Sequence, residues 1–156
     1  MKGRGEIHEK DGITIIDDSY NAAPASMKAG LKVLWDMPVK KRKIAVLADM
    51  LELGENEAAY HREVGEYMAE NRMIPDGILL LGDLSANIAD GFVEYAKKNT
   101  EERAACNAGE TAPFIRHFSN ISELTEFLRT YLCEGDTVLF KGSNSMGLSR
   151  AVKEFI

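Results

Sequence analysis

Three short segments concentrate the side chains able to do chemistry. The first is Asp17-Asp18-Ser19-Tyr20-Asn21-Ala22-Ala23-Pro24. Two carboxylates there can accept ribose hydroxyls or hold a cation, and Asn21 offers both a donor and an acceptor. The second is Asp49-Met50-Leu51-Glu52-Leu53-Gly54, where Asp49 and Glu52 can accept hydrogen bonds from an ammonium or an amide. The third is Lys141-Gly142-Ser143-Asn144-Ser145-Met146-Gly147. Its glycines let backbone approach a ligand closely, Lys141 adds a point charge, and amides at a helix start favour anions. Each segment also has an ordinary explanation. Asp, Ser and Asn favour turns and helix caps for local reasons, a glycine-rich stretch suits a strand-to-helix turn, and an acidic loop can simply be solvated.

The surrounding pattern supplies the frame. Gly5–Glu9 and Ile13–Asp17 read as strands about the turn Lys10-Asp11-Gly12, a hairpin signal. Pro24 suits the first turn of a helix, and Met27, Leu31, Leu34 and Trp35 follow with one apolar face. Ile44–Leu47, Gly77–Leu81 and Thr137–Phe140 are short apolar runs, as in strands covered on both faces; Pro113–Phe118 is a weaker strand pattern. Helical spacing recurs in Tyr60, Val64, Tyr67 and Met68, in Ile88, Phe92, Tyr95 and Ala96, and in Leu148, Val152, Phe155 and Ile156. Asn120 with Glu123 opens a further helix through Leu124, Leu128, Tyr131 and Leu132, and Gly135 suits its exit. Strands alternating with single helices predict an α/β, Rossmann-like, mostly parallel sheet with helices on both faces and an N-terminal β-hairpin. In such sheets ligands sit beyond the carboxyl ends of the strands, where the three segments fall.

Composition narrows the function classes. The 156 residues suit a single domain over 1–156, and 45% apolar with 28% charged residues are globular values. Acidic residues outnumber basic ones, 25 to 19, for a net charge of −6, which disfavours a nucleic-acid partner. The basic run Lys40–Lys43 reads as a solvated strand entry. No apolar stretch approaches the roughly 20 residues of a membrane span, and the polar start MKGRGEIHEKDG is unlike a signal peptide, so a cytoplasmic location is expected. Cys106 and Cys133 lack metal or redox spacing, and Cys133, among helical apolar positions, is expected to be a buried thiol. The scattered histidines His8, His61 and His117 show no metal spacing and read as structural or exposed. Neither the G-x-x-x-x-G-K-[ST] loop nor G-x-G-x-x-G after the first strand is present, so the segment offers no triphosphate site of its own.

Taken in order, GRGE at 3–6, ITIIDDSYNAAPASM at 13–27, LADMLELG at 47–54, His61 ahead of Val64-Gly65, and VLFKGSNSMG at 138–147 resemble one family over essentially the whole chain. They look like the C-terminal domain of the Mur ligases, and DDSYNAAP with DMLELG resembles the D-alanyl-D-alanine-adding type. The resemblance implies a larger enzyme, with a UDP-sugar domain and a central domain carrying the P-loop and magnesium ligands. It implies ATP and Mg2+ as cofactors and UDP-N-acetylmuramoyl-tripeptide and D-alanyl-D-alanine as substrates. ATP would phosphorylate the tripeptide carboxylate, the dipeptide amine would attack the acyl phosphate, and closure against the central domain would exclude water. This domain alone would be inactive. By resemblance, Arg4, Asp18, Tyr20 and Asn21 would meet the nucleotide or the closing interface. Asp49, Glu52, Lys141, Ser143 and Asn144 would serve the dipeptide or acyl phosphate. No metal ligand and no catalytic group is assigned within this domain. Two departures limit the transfer: Ala23 stands where the family often has a second Asn, and Asn144-Ser145 replaces Arg-Gly. Two other classes fit parts of the pattern. A signalling receiver domain also uses an acidic pair, a later Asp and a late Lys, as in Asp17, Asp18, Asp49 and Lys141, but Asp49 then comes one unit too early. A non-catalytic nucleotide-binding or interaction module would share the fold alone.

Overall fold

The computed structural model describes residues 2–38, 40–103 and 112–156. Cys106 lies outside the described residues. Six strands form one sheet: β1 (Glu6–Lys10), β2 (Ile13–Asp18), β3 (Lys43–Ala48), β4 (Gly77–Leu81), β5 (Phe114–Phe118) and β6 (Thr137–Lys141). The order is β1-β2-β6-β3-β4-β5, with β1 antiparallel to β2 and every other neighbouring pair parallel. Five helices connect or follow the parallel strands: α1 (Pro24–Asp36), α2 (Glu57–Glu70), α3 (Ala86–Arg103), α4 (Ile121–Tyr131) and α5 (Leu148–Phe155). The expected fold class is therefore the observed one.

The core has two layers because strand side chains alternate between faces. Ile16, Ala45, Leu47, Ile78, Leu80 and Leu139 pack with α1, α2 and α3. Their alternates, among them Ile15, Val46, Leu79, Val138 and Phe140, pack with α4 and α5. The handedness of parallel crossovers requires this division. From β2 through β5 the chain steps across the sheet in one direction, so α1 to α3 share a face; the return to β6 reverses direction and puts α4 on the other. β6 then enters between β2 and β3. The loops after β2 and β3 leave toward one face and the loop after β6 toward the other, which opens a crevice at their carboxyl ends. Counted alone, the parallel strands run 1-5-2-3-4, not the 2-1-3-4-5 of receiver domains, so the receiver alternative fails on topology.

Local signals work as the residues suggest. The Ala23 amide donates to Ser26 Oγ at 2.9 Å at the start of α1, and Asn120 Oδ1 accepts from the Glu123 amide at 2.9 Å at the start of α4. Three expectations are corrected. Cys133 is exposed, because α4 ends at Tyr131 and the helical spacing no longer applies beyond it. Trp35 and Tyr60 lie at the edges of their helical stripes and are over one-third exposed, while Leu34 and Val64 are buried. The run Lys40–Lys43 is not uniformly solvated. Arg42 makes a two-pronged pair with Asp136 at 2.9 and 2.7 Å, and buried Lys43 donates to the Trp35 carbonyl at the end of α1. A cation there complements the helix C-terminus.

α2 and α3 meet backbone to backbone. A Cβ on Gly65 would lie 1.9 Å from the Ile88 carbonyl oxygen, and one on Gly91 would lie 2.2 Å from that of Arg62. Neither obstacle is a flexible side chain, so Gly65→Ala must push the helices apart. It is expected to cost about 3 kcal/mol, read as a lower urea midpoint.

Burial holds the Lys43 ammonium below the usual lysine range, against the opposing pull of Asp36 and Asp76. Between the folded and unfolded pKa the unfolded chain binds more protons, so the Lys43 contribution to stability rises with pH. The penalty is full below the folded pKa and fades as pH climbs toward the ordinary lysine value. Urea unfolding over that alkaline window should show the wild type gaining stability relative to Lys43→Met.

Candidate functional site

The crevice is built from the loops after β2, β3 and β6, with the loop after β4 behind them. Register sets the first contact. Asp18 pairs with Lys141 across β2 and β6, so both side chains emerge side by side on the face covered by α1. Lys141 Nζ donates to Asp18 Oδ2 at 2.6 Å and to the Asn21 carbonyl at 3.1 Å. The Lys141 side chain is only 3% exposed, against 24% for Asp18. Gly30 of α1 makes room for the lysine stem, because a Cβ there would come within 2.8 Å of Lys141 Cδ. Asp18 can thus hold the ammonium and still face solvent at the crevice.

Around this pair the first segment folds back on itself. Asp17 Oδ1 accepts from the Ser19 hydroxyl at 2.6 Å and the Ser19 amide at 3.2 Å, the local turn chemistry that Asp and Ser favour. Asn21 Oδ1 accepts from the Ala22 amide at 2.8 Å. Tyr20 is exposed, and the guanidinium of exposed Arg4 sits 4.3 Å from its ring centroid. The Tyr20 amide donates to the Gly3 carbonyl at 2.9 Å, and the Gly5 amide to the Asp17 carbonyl at 2.8 Å. The entering chain is thereby tied to the loop after β2, and Arg4 and Tyr20 form a cationic, aromatic rim.

The second segment is a hub rather than a solvated acidic loop. Asp49 is buried, and its carboxylate accepts from the amides of Ser85 at 2.7 Å and Leu84 at 3.2 Å, just ahead of α3. Gly82 leaves space for that carboxylate, since a Cβ there would fall 2.5 Å from it. The Asp49 carbonyl accepts from the Ser143 amide at 3.1 Å, and Ser143 Oγ accepts from the Leu51 amide at 2.9 Å. Glu52 is exposed with φ of 62°, a left-handed conformation uncommon outside glycine.

The third segment adds Gly142, whose missing Cβ is required by Ala48: a Cβ would lie 2.5 Å from the Ala48 Cβ. That glycine serves strand packing rather than a ligand. Asn144 is exposed, and its carbonyl accepts from the Gly147 amide at 3.2 Å.

The structure therefore joins the expected residues in three groups: Asp18, Asn21 and Lys141; Arg4 and Tyr20; and Asp49 with Ser143. Glu52 and Asn144 stand exposed in the same loops. Sequence reasoning read His61 only as structural or exposed and assigned it no place at the site. It is fully buried on the stripe with Val64 and Met68, and its Nε2 accepts from the Met50 amide at 2.9 Å. Its place on a buried helical stripe was the available signal, because a buried imidazole needs partners. Among the described residues no group of three His, Cys, Asp or Glu comes together that could hold a metal ion. The exposed Arg4–Tyr20 rim and the part-exposed Asp18 have the chemistry for the phosphate, base and ribose of a nucleotide.

A doubly wound sheet with polar loops over its carboxyl ends defines a Rossmann-like α/β domain. More particularly, the chain belongs to the Mur ligase family as a C-terminal domain: residues 3–144 match the model of the Mur ligase, glutamate ligase domain. It is 31% identical over 150 residues to the UDP-N-acetylmuramoyl-tripeptide–D-alanyl-D-alanine ligase of Bacillus subtilis, covering 96% of this chain and 29% of that protein. The ligase of the same name from Mycobacterium tuberculosis is 36% identical over 145 residues, covering 88% and 28%. The crystal structure of MurF ligase from Thermotoga maritima in complex with ADP superposes with a TM-score of 0.72 at 26% identity, covering 99% of this chain and 30% of that one. The chain spans less than a third of the length of these relatives.

The buried pair gives a thermodynamic prediction. Asp18→Asn takes the counter-charge from a buried ammonium and is expected to cost about 3 kcal/mol, whereas Lys141→Met leaves a part-exposed Asp18 that water can reach and costs less. The double variant should be much less destabilised than the sum. Urea unfolding of all four proteins measures the coupling, and additive losses would exclude it.

Proposed function

We propose that this chain is the C-terminal domain of an ATP-dependent ligase that adds D-alanyl-D-alanine to a UDP-N-acetylmuramoyl tripeptide in peptidoglycan precursor synthesis. The observation that carries the reading is the gathering of DDSYNAAP, DMLELG and KGSNSMG at one crevice by the insertion of β6 between β2 and β3. The named relatives support the choice of substrate.

In this reading residues 1–156 act as one domain and close over a central domain that supplies the triphosphate loop. ATP and Mg2+ are bound mainly by that other domain, in the cytoplasm. When bound, ATP supplies the phosphoryl group that activates the tripeptide carboxylate. Arg4 and Tyr20 meet the phosphates and the base, Asp18 the ribose, and Asn21 the closing edge. Lys141 sets the pose of Asp18 and adds positive potential under the crevice. Glu52 and Asn144 face the incoming dipeptide, Glu52 attracting its ammonium. Asp49 and Ser143 act by shaping the loop, because their polar atoms are committed to backbone. The chemistry asks mostly for positioning and exclusion of water, which a closing domain provides.

The test is phosphate release by the full-length ligase given ATP, magnesium, UDP-muramoyl tripeptide and D-alanyl-D-alanine, with each omitted in turn. Release is expected only with all of them, together with the pentapeptide product by mass, and the 156-residue domain alone should be inactive. Release that ignores the dipeptide would assign a different amine substrate. No release at all would favour a non-catalytic module.

A further inference from the structure

The loop after β3 is held by two consecutive amides. Met50 donates to His61 Nε2 and Leu51 to Ser143 Oγ, both at 2.9 Å. On the other side of the imidazole, Nδ1 lies 2.6 Å from the Glu57 carbonyl. A ring whose Nε2 accepts from one amide and whose Nδ1 faces a carbonyl must be neutral, with its proton on Nδ1. His61 is fully buried, so no water can replace either bond, and an apolar side chain of similar size would leave the Met50 amide without an acceptor. Glu52 follows two residues after Met50, exposed and left-handed at φ 62°. A non-glycine residue keeps that conformation only when its surroundings over-determine it. Its fixed neighbours are Met50 and Leu51, held through their amides on one side, and Leu53, packed against the core on the other.

We propose that His61 is a positioning residue of the amine-substrate site: by accepting the Met50 amide it holds Glu52 in its left-handed pose at the crevice, where the carboxylate receives the substrate ammonium. The substrate half rests on the ligase reading above; the coupling of His61 to the loop does not. His61 touches no substrate. Its influence runs through Met50 to the backbone of Glu52, so its loss weakens capture of the amine and leaves the nucleotide rim alone.

Two measurements separate the parts. On this chain, nitrogen-15 spectra of the imidazole should show the neutral Nδ1–H form. Amide exchange at Met50 should quicken about a hundredfold in His61→Phe, while amides of β4 stay protected. His61→Gln, whose amide oxygen can accept from Met50, should restore most of the protection. If the Phe variant does not fold, His61→Asn, too short to reach Met50, replaces it. In the full-length ligase, the variant that releases Met50 should raise the dipeptide KM about tenfold, one hydrogen bond's worth. KM for ATP should stay within about twofold, well under one such bond. Gln should rescue, and Glu52→Gln should raise the same KM without altering Met50 exchange. Unchanged Met50 exchange in the Phe or Asn variant overturns the coupling. A fall in kcat with both KM values unmoved makes His61 merely structural and overturns the positioning role. A wild-type enzyme without dipeptide-dependent turnover overturns the ligase reading and the substrate half with it, while the exchange result still decides the coupling.

Discussion

Beyond the carboxyl ends of β3, β4 and β6 the chain must turn while still buried, and every amide released by a turn needs an acceptor. Asp49 answers most of that need. Its carboxylate takes two amides ahead of α3, and its carbonyl takes the amide of Ser143. Ser143 and His61 then hold the two amides that follow Asp49. Three loops from separate stretches of sequence are thereby locked to one another. The crevice is preformed, and the residues exposed in it include Arg4, Tyr20, Asn21, Glu52 and Asn144.

The Asp18–Lys141 pair has a different role. Burying an ammonium is expensive, and a paired charge seldom adds net stability over an apolar replacement. What the pair supplies is orientation: Lys141 fixes one oxygen of Asp18 and the carbonyl of Asn21 together. The strand end and the turn into α1 thus keep one shape. In the proposed ligase, a domain that closes on its partner and exposes the same few groups each time would gain more from such rigidity than from added stability.

In the proposed ligase the parts of the reaction would be divided between domains. This one offers no phosphate loop and, among its described residues, no metal cluster. Its contribution is a preorganised wall with a cationic, aromatic rim on one side and a carboxylate on the other. In the proposed ligase such a wall would face the domain that holds the reactive phosphate.

The alternation of elements, the hairpin, the helix caps and the short buried strands were legible in the amino-acid sequence, because each depends on spacing within a dozen residues. So were the segments that form the crevice, since loops that follow the carboxyl ends of parallel strands line it. The sequence could not show that β6 returns between β2 and β3, because strand order is decided by which faces bury the most apolar area and by crossover handedness over the whole chain. Nor could it separate Asp49 from Glu52: one carboxylate is buried in backbone amides and the other is exposed, three residues apart in one loop. Lys43 is buried where a solvated run was expected, and Cys133 is exposed because α4 ends at Tyr131; His61, read only as structural or exposed, turns out to be fully buried. Whether a polar side chain is buried depends on which groups the packed elements set against it, and that is decided only when the tertiary structure closes.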